Sequence, residues 1–337
     1  DETKTSKERS ELVASAEVTF EGKSLNLSQL QGYVLDVSRD RREAATRTYW
    51  DWYEERGEQF DDIYDRLVSI RTSMAKKLGM KNYIELGYLR MQRIDYDAAA
   101  VENFRAEVLE HVVPAATLAV ERQAEALGID EVKVWDHGVY SATGSPAPRG
   151  GLDEQIQQAH TMFERIHPEL AEFFAMMDER GLMDLVARKG KASGGFCTSL
   201  EEGVPFIFAN FNGTRGDIDT FTHEVGHAFQ CWLSREHEPI DLVWPTLESC
   251  EIHSMSLEYF CAPHMELFYG DDADQIRRDQ LTGSLTFLPY GVAVDHFQHL
   301  VYGNPDATPA DRRDMWLEVQ AKYMPWRNGN GVLDDTE

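Results

Sequence analysis

Residues 221–227 read Phe221-Thr222-His223-Glu224-Val225-Gly226-His227 and contain the pattern H-E-x-x-H. On a helix, four residues advance roughly 400°, so His223 and His227 stand one turn apart on the same face. That spacing lets two imidazoles reach one zinc ion at about 2.0–2.1 Å. Glu224, beside the first imidazole, is placed to reach a water at that ion rather than the ion itself. The motif alone still admits two incidental helix histidines and a solvated glutamate. Gly226 argues against that reading. Glycine inside a helix costs about 1 kcal/mol relative to alanine, so some neighbour needs the missing side chain.

A hydrolytic zinc site needs a third protein ligand and an open position. A continuation of the form H-x-x-G-x-x-H would need Gly and His where Gln230 and Leu233 stand. The alternative is a carboxylate on a second helix, and LESCEIHSMSLEYF (247–260) supplies Glu248, Glu251 and Glu258 on one broad face. Glu251 and Glu258 are seven residues apart, roughly 10.5 Å along a helix axis, so both cannot ligate one ion. Spacing does not choose between Glu248 and Glu251. His253 is a further option, pointing to another side of that helix from Glu251.

HEVGHAFQ followed by ESCEIHSMSLE resembles the oligoendopeptidase F and thimet-oligopeptidase group of zinc metallopeptidases. EGKSLNLSQL, LGYLRMQRIDYD, GGFCTSL and IFANFNGT are similar to segments of the same family, so the resemblance covers nearly the whole chain. The family's E-x-x-S-x-x-x-E arrangement falls on Glu251, Ser254 and Glu258. It implies a zinc cofactor, one ion per chain, held by His223, His227 and Glu251. It also implies Glu224 as general base and Glu258 as a group that orients a ligand histidine. The implied activity is endopeptidase cleavage of short, unstructured peptides in a channel between helical lobes. The strand Gly194-Gly195-Phe196-Cys197 is a candidate for pairing with an extended peptide through its backbone.

The family's members are longer. They have helical sequence before the position of Asp1, and after a segment like MPWRNG (324–329) a helix bearing His and Tyr groups that bind substrate and stabilise the oxyanion. Tyr290, His296, His299 and Tyr302 come too early to match that helix. The resemblance therefore implies an internal piece of the enzyme. The expectation that follows is weak turnover, exposed apolar helix faces, and, as the alternative function, a catalytically deficient zinc- or peptide-binding relative.

The elements that must position these residues are legible in outline. Residues 17–27 alternate around Glu21-Gly22 as a hairpin. Helical spacing runs from about residue 40 to Leu78, with Gly79 as a stop, and from about Asp97 to Leu127, with Pro114 predicting a kink or break after Val113. Residues 134–151 read as an irregular connection. Helical spacing resumes from Leu152 to about Arg188 with a joint at His167-Pro168. Two strands, 194–200 and 204–211, joined through Glu201-Glu202-Gly203, precede a helix over about 218–233 with Asp217 and Asp219 as candidate caps. Helices over about 246–268 and 285–302 follow. The fold class is mainly α, zincin-like, with a small sheet beside the H-E-x-x-H helix. A helical region over 1–150 with an N-terminal hairpin leads into a zinc-binding region over 151–337, the two forming one continuous fold.

Composition bounds the rest. Lys+Arg 33 against Asp+Glu 59 in 337 residues gives a net charge of −26. Such a surface repels phosphate backbones and anionic lipid, so nucleic acid and membranes are poor partners. No apolar run approaches the roughly 18 residues of a membrane helix, and DETKTSKERSE at the start is unlike a secretory signal. Cys197, Cys231, Cys250 and Cys261 form no Cys-x-x-Cys pair and read as reduced thiols, which favours a cytoplasmic protein. Trp50, Trp52, Tyr53, Trp135 and Asp136 read as packing groups. His264, Cys250, His296 and His299 read as ordinary helix residues, and Asp271-Asp272-Ala273-Asp274 as a helix entry.

Overall fold

A computed structural model describes residues 1–201 and 203–327. Glu202 of the expected turn, and the segment 328–337 that follows MPWR, lie outside the described residues. In chain order the elements are α1 (Glu2–Ala14), β1 (Val18–Phe20), β2 (Lys23–Leu25), α2 (Leu27–Val34), α3 (Arg39–Glu54), α4 (Gly57–Lys77), α5 (Tyr83–Arg90), α6 (Ala98–Glu107) and α7 (Val113–Leu127). They continue as α8 (Leu152–Ile166), α9 (Pro168–Glu179), β3 (Met183–Val186), β4 (Phe196–Glu201), β5 (Val204–Phe211), α10 (Gly216–Ser234), α11 (Cys250–Cys261), α12 (Glu266–Tyr269), α13 (Ala273–Gly303) and α14 (Pro309–Tyr323). The fold is mainly α, with a small sheet directly before α10, as the sequence implies.

The chain forms two compact units. One comprises Asp1–Ser24, Tyr33–Gly144 and the described residues from Gln280 on; the other comprises Leu25–Gly32 and Ser145–Asp279. In the first unit, Val108, Val113, Val292, Ala293, Val319, Tyr323 and Met324 make a core. Asp136, with no exposed surface, is held there between Arg39 and Arg42 at 2.8 and 2.7 Å. Trp52 and Trp135 are buried as packing residues.

The second unit holds the motif helix. Its core gathers Phe163, Phe173, Phe174 and Met177 of α8 and α9, Ile207 and Ala209 of β5, Ile218, Phe221, Val225 and Ala228 of α10, and Leu257 and Cys261 of α11. The α10 residues recur at helical spacing, so this one buried stripe fixes which way the rest of the helix faces. The sheet has the order β3-β5-β4, with β3 parallel to β5 and β4 antiparallel to it. Lys191 laces the first pair together, its Nζ donating to the Asp184 and Val186 carbonyls at 3.0 Å and to that of Ala209 at 2.5 Å. Among the described residues no helix is long and apolar enough to cross a membrane.

Several boundaries differ from the sequence expectation, each for a local reason. Helix α9 stops at Glu179 rather than running to about Arg188. Gly181 then adopts φ +63°, and Met183–Val186 pairs with β5 through Met183 opposite Ile207. Where the sequence predicts a kink or break after Val113, the helical path runs through a five-residue π-helical turn, Val108–Val112, ending two residues before Pro114. A widened turn accommodates the missing N–H and the ring of proline without ending the helical path. The helix expected over 246–268 begins only at Cys250 and passes at Cys261 into a 3-10 turn containing Pro263. Helix α13 starts earlier than expected, and Asp271-Asp272 sit in the turn that leads into it. Residues 2–14, polar and unassigned from sequence, form α1, where Glu2 pairs with Arg71 and Arg90 and Glu8 with Arg66.

Candidate metal centre

Helix α10 is anchored at both levels that matter. At its start, Asp217 does not cap the helix as expected; Arg215 precedes the first turn. The Asp217 carboxylate instead accepts the N–H groups of Asn212 and Gly213 at 2.9 and 2.8 Å, fixing the turn from β5 into α10. With Ile218, Phe221 and Val225 turned into the core, His223 and His227 emerge on the opposite side. Halfway along, Gly226 meets α11 backbone to backbone. A Cβ at Gly226 would lie 2.6 Å from Ser254 Cα and 2.9 Å from the His253 carbonyl oxygen. This contact is the reason for a glycine inside the helix.

The close crossing brings Glu251 over the two imidazoles. Its Oε2 lies 3.0 Å from His223 Nε2 and 3.2 Å from His227 Nε2, and the two nitrogens are 3.1 Å apart. Among the described residues these three form the one group of at least three His, Cys, Asp or Glu side chains able to converge on a metal ion. On the far side of the ring, His223 Nδ1 donates to Glu258 Oε1 at 2.7 Å. A carboxylate only accepts, so this bond puts the proton of neutral His223 on Nδ1 and leaves Nε2 as a lone pair. With the His227 proton on Nδ1 as well, Nε2, Nε2 and Oε2 present three lone pairs within reach of one cation. Their spacing approaches the edge, about 3.4 Å, of a tetrahedron with bonds of 2.0–2.1 Å. The donor set fits zinc.

Glu251 and Glu258, too far apart along α11 to share an ion, clasp His223 through its two ring nitrogens. Glu248, expected on the same helix face, stands in a turn before α11. His253 does not join the group. Cys250 has its thiol 3.2 Å from the Leu247 carbonyl and 3.7 Å from Glu251 Oε1, and Cys231 is buried in the core with its thiol 3.8 Å from the Gly203 carbonyl. All four cysteines are free thiols.

The electrostatics are graded across the site. Burial raises the Glu224 carboxyl to about 7, with the Glu251 charge adding to the rise against the opposing effect of His223. Its Oε2 is buried with no hydrogen-bond partner, whereas the Cys197 backbone N–H donates to the same carboxylate. Burial works to raise Glu251 too, but the Ser254 hydrogen bond and the two histidines outweigh it and hold that carboxyl below its ordinary value. Burial depresses His227. For His223 it is overcome by the Glu258 hydrogen bond, and the imidazole is raised.

Strand β4 forms the edge of its sheet beside Glu224. Phe196 pairs with Phe208 and Cys197 with Ile207, and the Phe196 ring, about half exposed, stacks on Phe208 at 4.7 Å. Gly195 passes so close that a Cβ there would lie 2.6 Å from Thr220 Cγ2 and 3.3 Å from Glu224 Oε1. Asn210 Nδ2 donates to the carbonyls of Ala192 and Gly194 at 2.8 Å and holds the approach to the strand. His296 and His299 belong to the other unit and serve different partners there. His296 Nδ1 meets the Tyr323 hydroxyl at 3.2 Å, and His299 Nε2 meets that of Tyr88 at 3.0 Å.

A mainly helical fold with a short sheet, two histidines one turn apart and a glutamate from the next helix define a zincin-like protein. The family model for peptidase family M3 matches residues 34–335, and the chain belongs to that family as an oligoendopeptidase F-like member. It is 22% identical over 305 residues to the oligopeptidase PepF of Bacillus subtilis (strain 168), covering 84% of this chain and 44% of that protein. The solved structure of Pz peptidase A with an inhibitor superposes with a TM-score of 0.96 at 50% identity, over 98% of this chain and 59% of that one. A candidate oligoendopeptidase F from Bacillus anthracis str. Ames superposes with a TM-score of 0.94 at 46% identity, over 96% of this chain and 60% of that one. The chain thus spans about half the length of the relatives it matches.

Proposed function

We propose that the chain carries the reaction centre of a zinc-dependent endopeptidase acting on short, unstructured peptides. The observation that carries this reading is the convergence of His223 Nε2, His227 Nε2 and Glu251 Oε2 to within 3.0–3.2 Å beside the buried Glu224 carboxylate. Zinc, when bound by these three groups, supplies a Lewis acid that acidifies water and polarises a peptide carbonyl. Glu224 acts as general base towards the attacking water and then passes the proton to the leaving amine. Its unpartnered Oε2 offers the acceptor, and an environment that raises the carboxyl to about 7 suits a group that must both take and give a proton near neutrality. Glu258 holds the His223 ring and its tautomer. The substrate backbone pairs with Gly194–Cys197, where the chain enters the edge strand β4 at Phe196, a mode that reads an extended chain with little demand on side chains. Membership of the M3 family and the name oligopeptidase carried by the Bacillus subtilis relative support peptides as the substrate class.

The test is zinc content of the purified chain together with cleavage of a quenched-fluorescent short peptide. Glu224→Gln is expected to keep one zinc per chain and to lower kcat by about 100- to 10,000-fold. Undiminished cleavage by that variant would remove Glu224 from the role assigned here.

A further inference from the structure

We infer that Ser254 is a positioning residue for the metal site, fixing which oxygen of Glu251 faces the histidines. This rests on the reading that His223, His227 and Glu251 hold zinc. Ser254 has no exposed surface, and its Oγ lies 2.8 Å from Glu251 Oε2, the same oxygen that approaches both imidazoles. The alternative acceptor for the hydroxyl, the Glu251 backbone carbonyl, is farther, at 3.1 Å. Donation to Oε2 occupies one of its lone pairs and leaves the other directed between His223 and His227. A glutamate side chain has three rotatable bonds, and Glu251 is otherwise half exposed. Without the hydroxyl, its carboxylate is free to turn Oε1 inward or to swing towards solvent.

The position of Ser254 is itself fixed from across the helix crossing. Its Cα is the atom a Cβ at Gly226 would strike at 2.6 Å, so the tightest point of the α10–α11 contact lies at the residue that holds the ligand. Gly226 lies between Glu224 and His227 in sequence, and Ser254 lies one turn after Glu251. The glycine, the serine hydroxyl and the glutamate therefore form one chain of contacts. It transmits the position of the α10 backbone to the orientation of a ligand contributed by α11. Outer partners of this kind typically contribute 10- to 100-fold to metal affinity.

The experiment compares the parent chain, Ser254→Ala and Glu251→Ala. Zinc affinity is read by competition with a chromophoric chelator, and the ligand field by the visible spectrum of the cobalt(II)-loaded chain. Melting of the metal-free chain reports whether the fold is kept. Alanine is the best helix former, so Ser254→Ala is expected to fold. The expected result is zinc binding at least 10-fold weaker than in the parent and an altered cobalt spectrum, with metal-free melting close to that of the parent. Affinity within twofold of the parent and an unchanged cobalt spectrum would overturn the role of Ser254 while leaving the metal site standing. A parent that binds no zinc, or a Glu251→Ala chain that binds it as tightly as the parent, would overturn the site and the inference together.

Discussion

At the scale of single residues, two of the glutamates close to His223 have different surroundings, and the separate roles proposed for them follow from that. Glu224 is buried beside the β4 edge with one oxygen unpartnered, whereas Glu258 is paired with a ring nitrogen. Replacing Glu258 with Ala removes the acceptor that fixes the His223 tautomer, and zinc affinity is expected to fall by about 10- to 100-fold. Chelator competition checks this, and an unchanged affinity would show that the ring is held by packing alone. His223, Glu224 and His227 were legible from sequence because the helical period depends on backbone geometry alone. Glu251 was not settled by spacing. Glu248 and Glu251 are equivalent on an idealised helix, and the resemblance to a family was needed to choose between them. The structure separates them physically, since α11 starts only at Cys250 and Glu248 never enters it.

At the scale of elements, the crossing of α10 and α11 does most to build the site. Gly226→Ala tests it with two opposed effects. Alanine improves helix propensity by about 1 kcal/mol. Its Cβ, however, meets backbone at 2.6 and 2.9 Å, which cannot rotate away as a side chain would. Overpacking of this kind costs about 1–3 kcal/mol, so the net effect is expected to be destabilising, with weaker zinc binding as Glu251 moves off the histidines. Denaturant melts of the metal-free chain measure the first effect, and a stabilised variant would contradict the contact. The short sheet shows where period reading fails. Met183–Val186 carries no alternation distinct from the helix before it, and its pairing partner in β5 lies more than twenty residues later. Non-local pairing of that kind leaves no mark in a local window.

At the scale of the whole molecule, stability is expected to depend on metal and on pH through separate groups. Zinc bound only by the folded chain stabilises it by about 2.7 kcal/mol at a free concentration 100 times Kd. Chelation should therefore lower the melting temperature of the parent and leave Glu251→Ala little changed. Asp136 contributes to the pH dependence. Burial alone would raise its carboxyl, but hydrogen bonds from Arg39 and Arg42 outweigh this and hold it below its ordinary value. A carboxylate with a depressed folded pKa contributes fully above its unfolded value of about 3.9 and loses that contribution as pH falls through the folded value. Asp136→Asn leaves Arg42 buried without its counter-charge. It is expected to cost about 3–5 kcal/mol at neutral pH and to flatten the loss of stability below about pH 4. Urea titrations at pH 7 and pH 3 check both parts.

The sequence by itself determined the mainly α class, the helix bearing H-E-x-x-H, the hairpin at Glu21-Gly22, and the strands that became β4 and β5. All of these follow from patterns within one element, where backbone period and turn chemistry act locally. The tertiary structure decided the rest. It set Glu251 rather than Glu248 against His223 and His227, put Glu258 on the second nitrogen of His223, and carried Gly195 over Glu224. It also gave Asp217 to the β5–α10 turn and set Ser254 against Gly226. Each of these depends on how closely two elements approach, which is set by packing between side chains far apart in the chain.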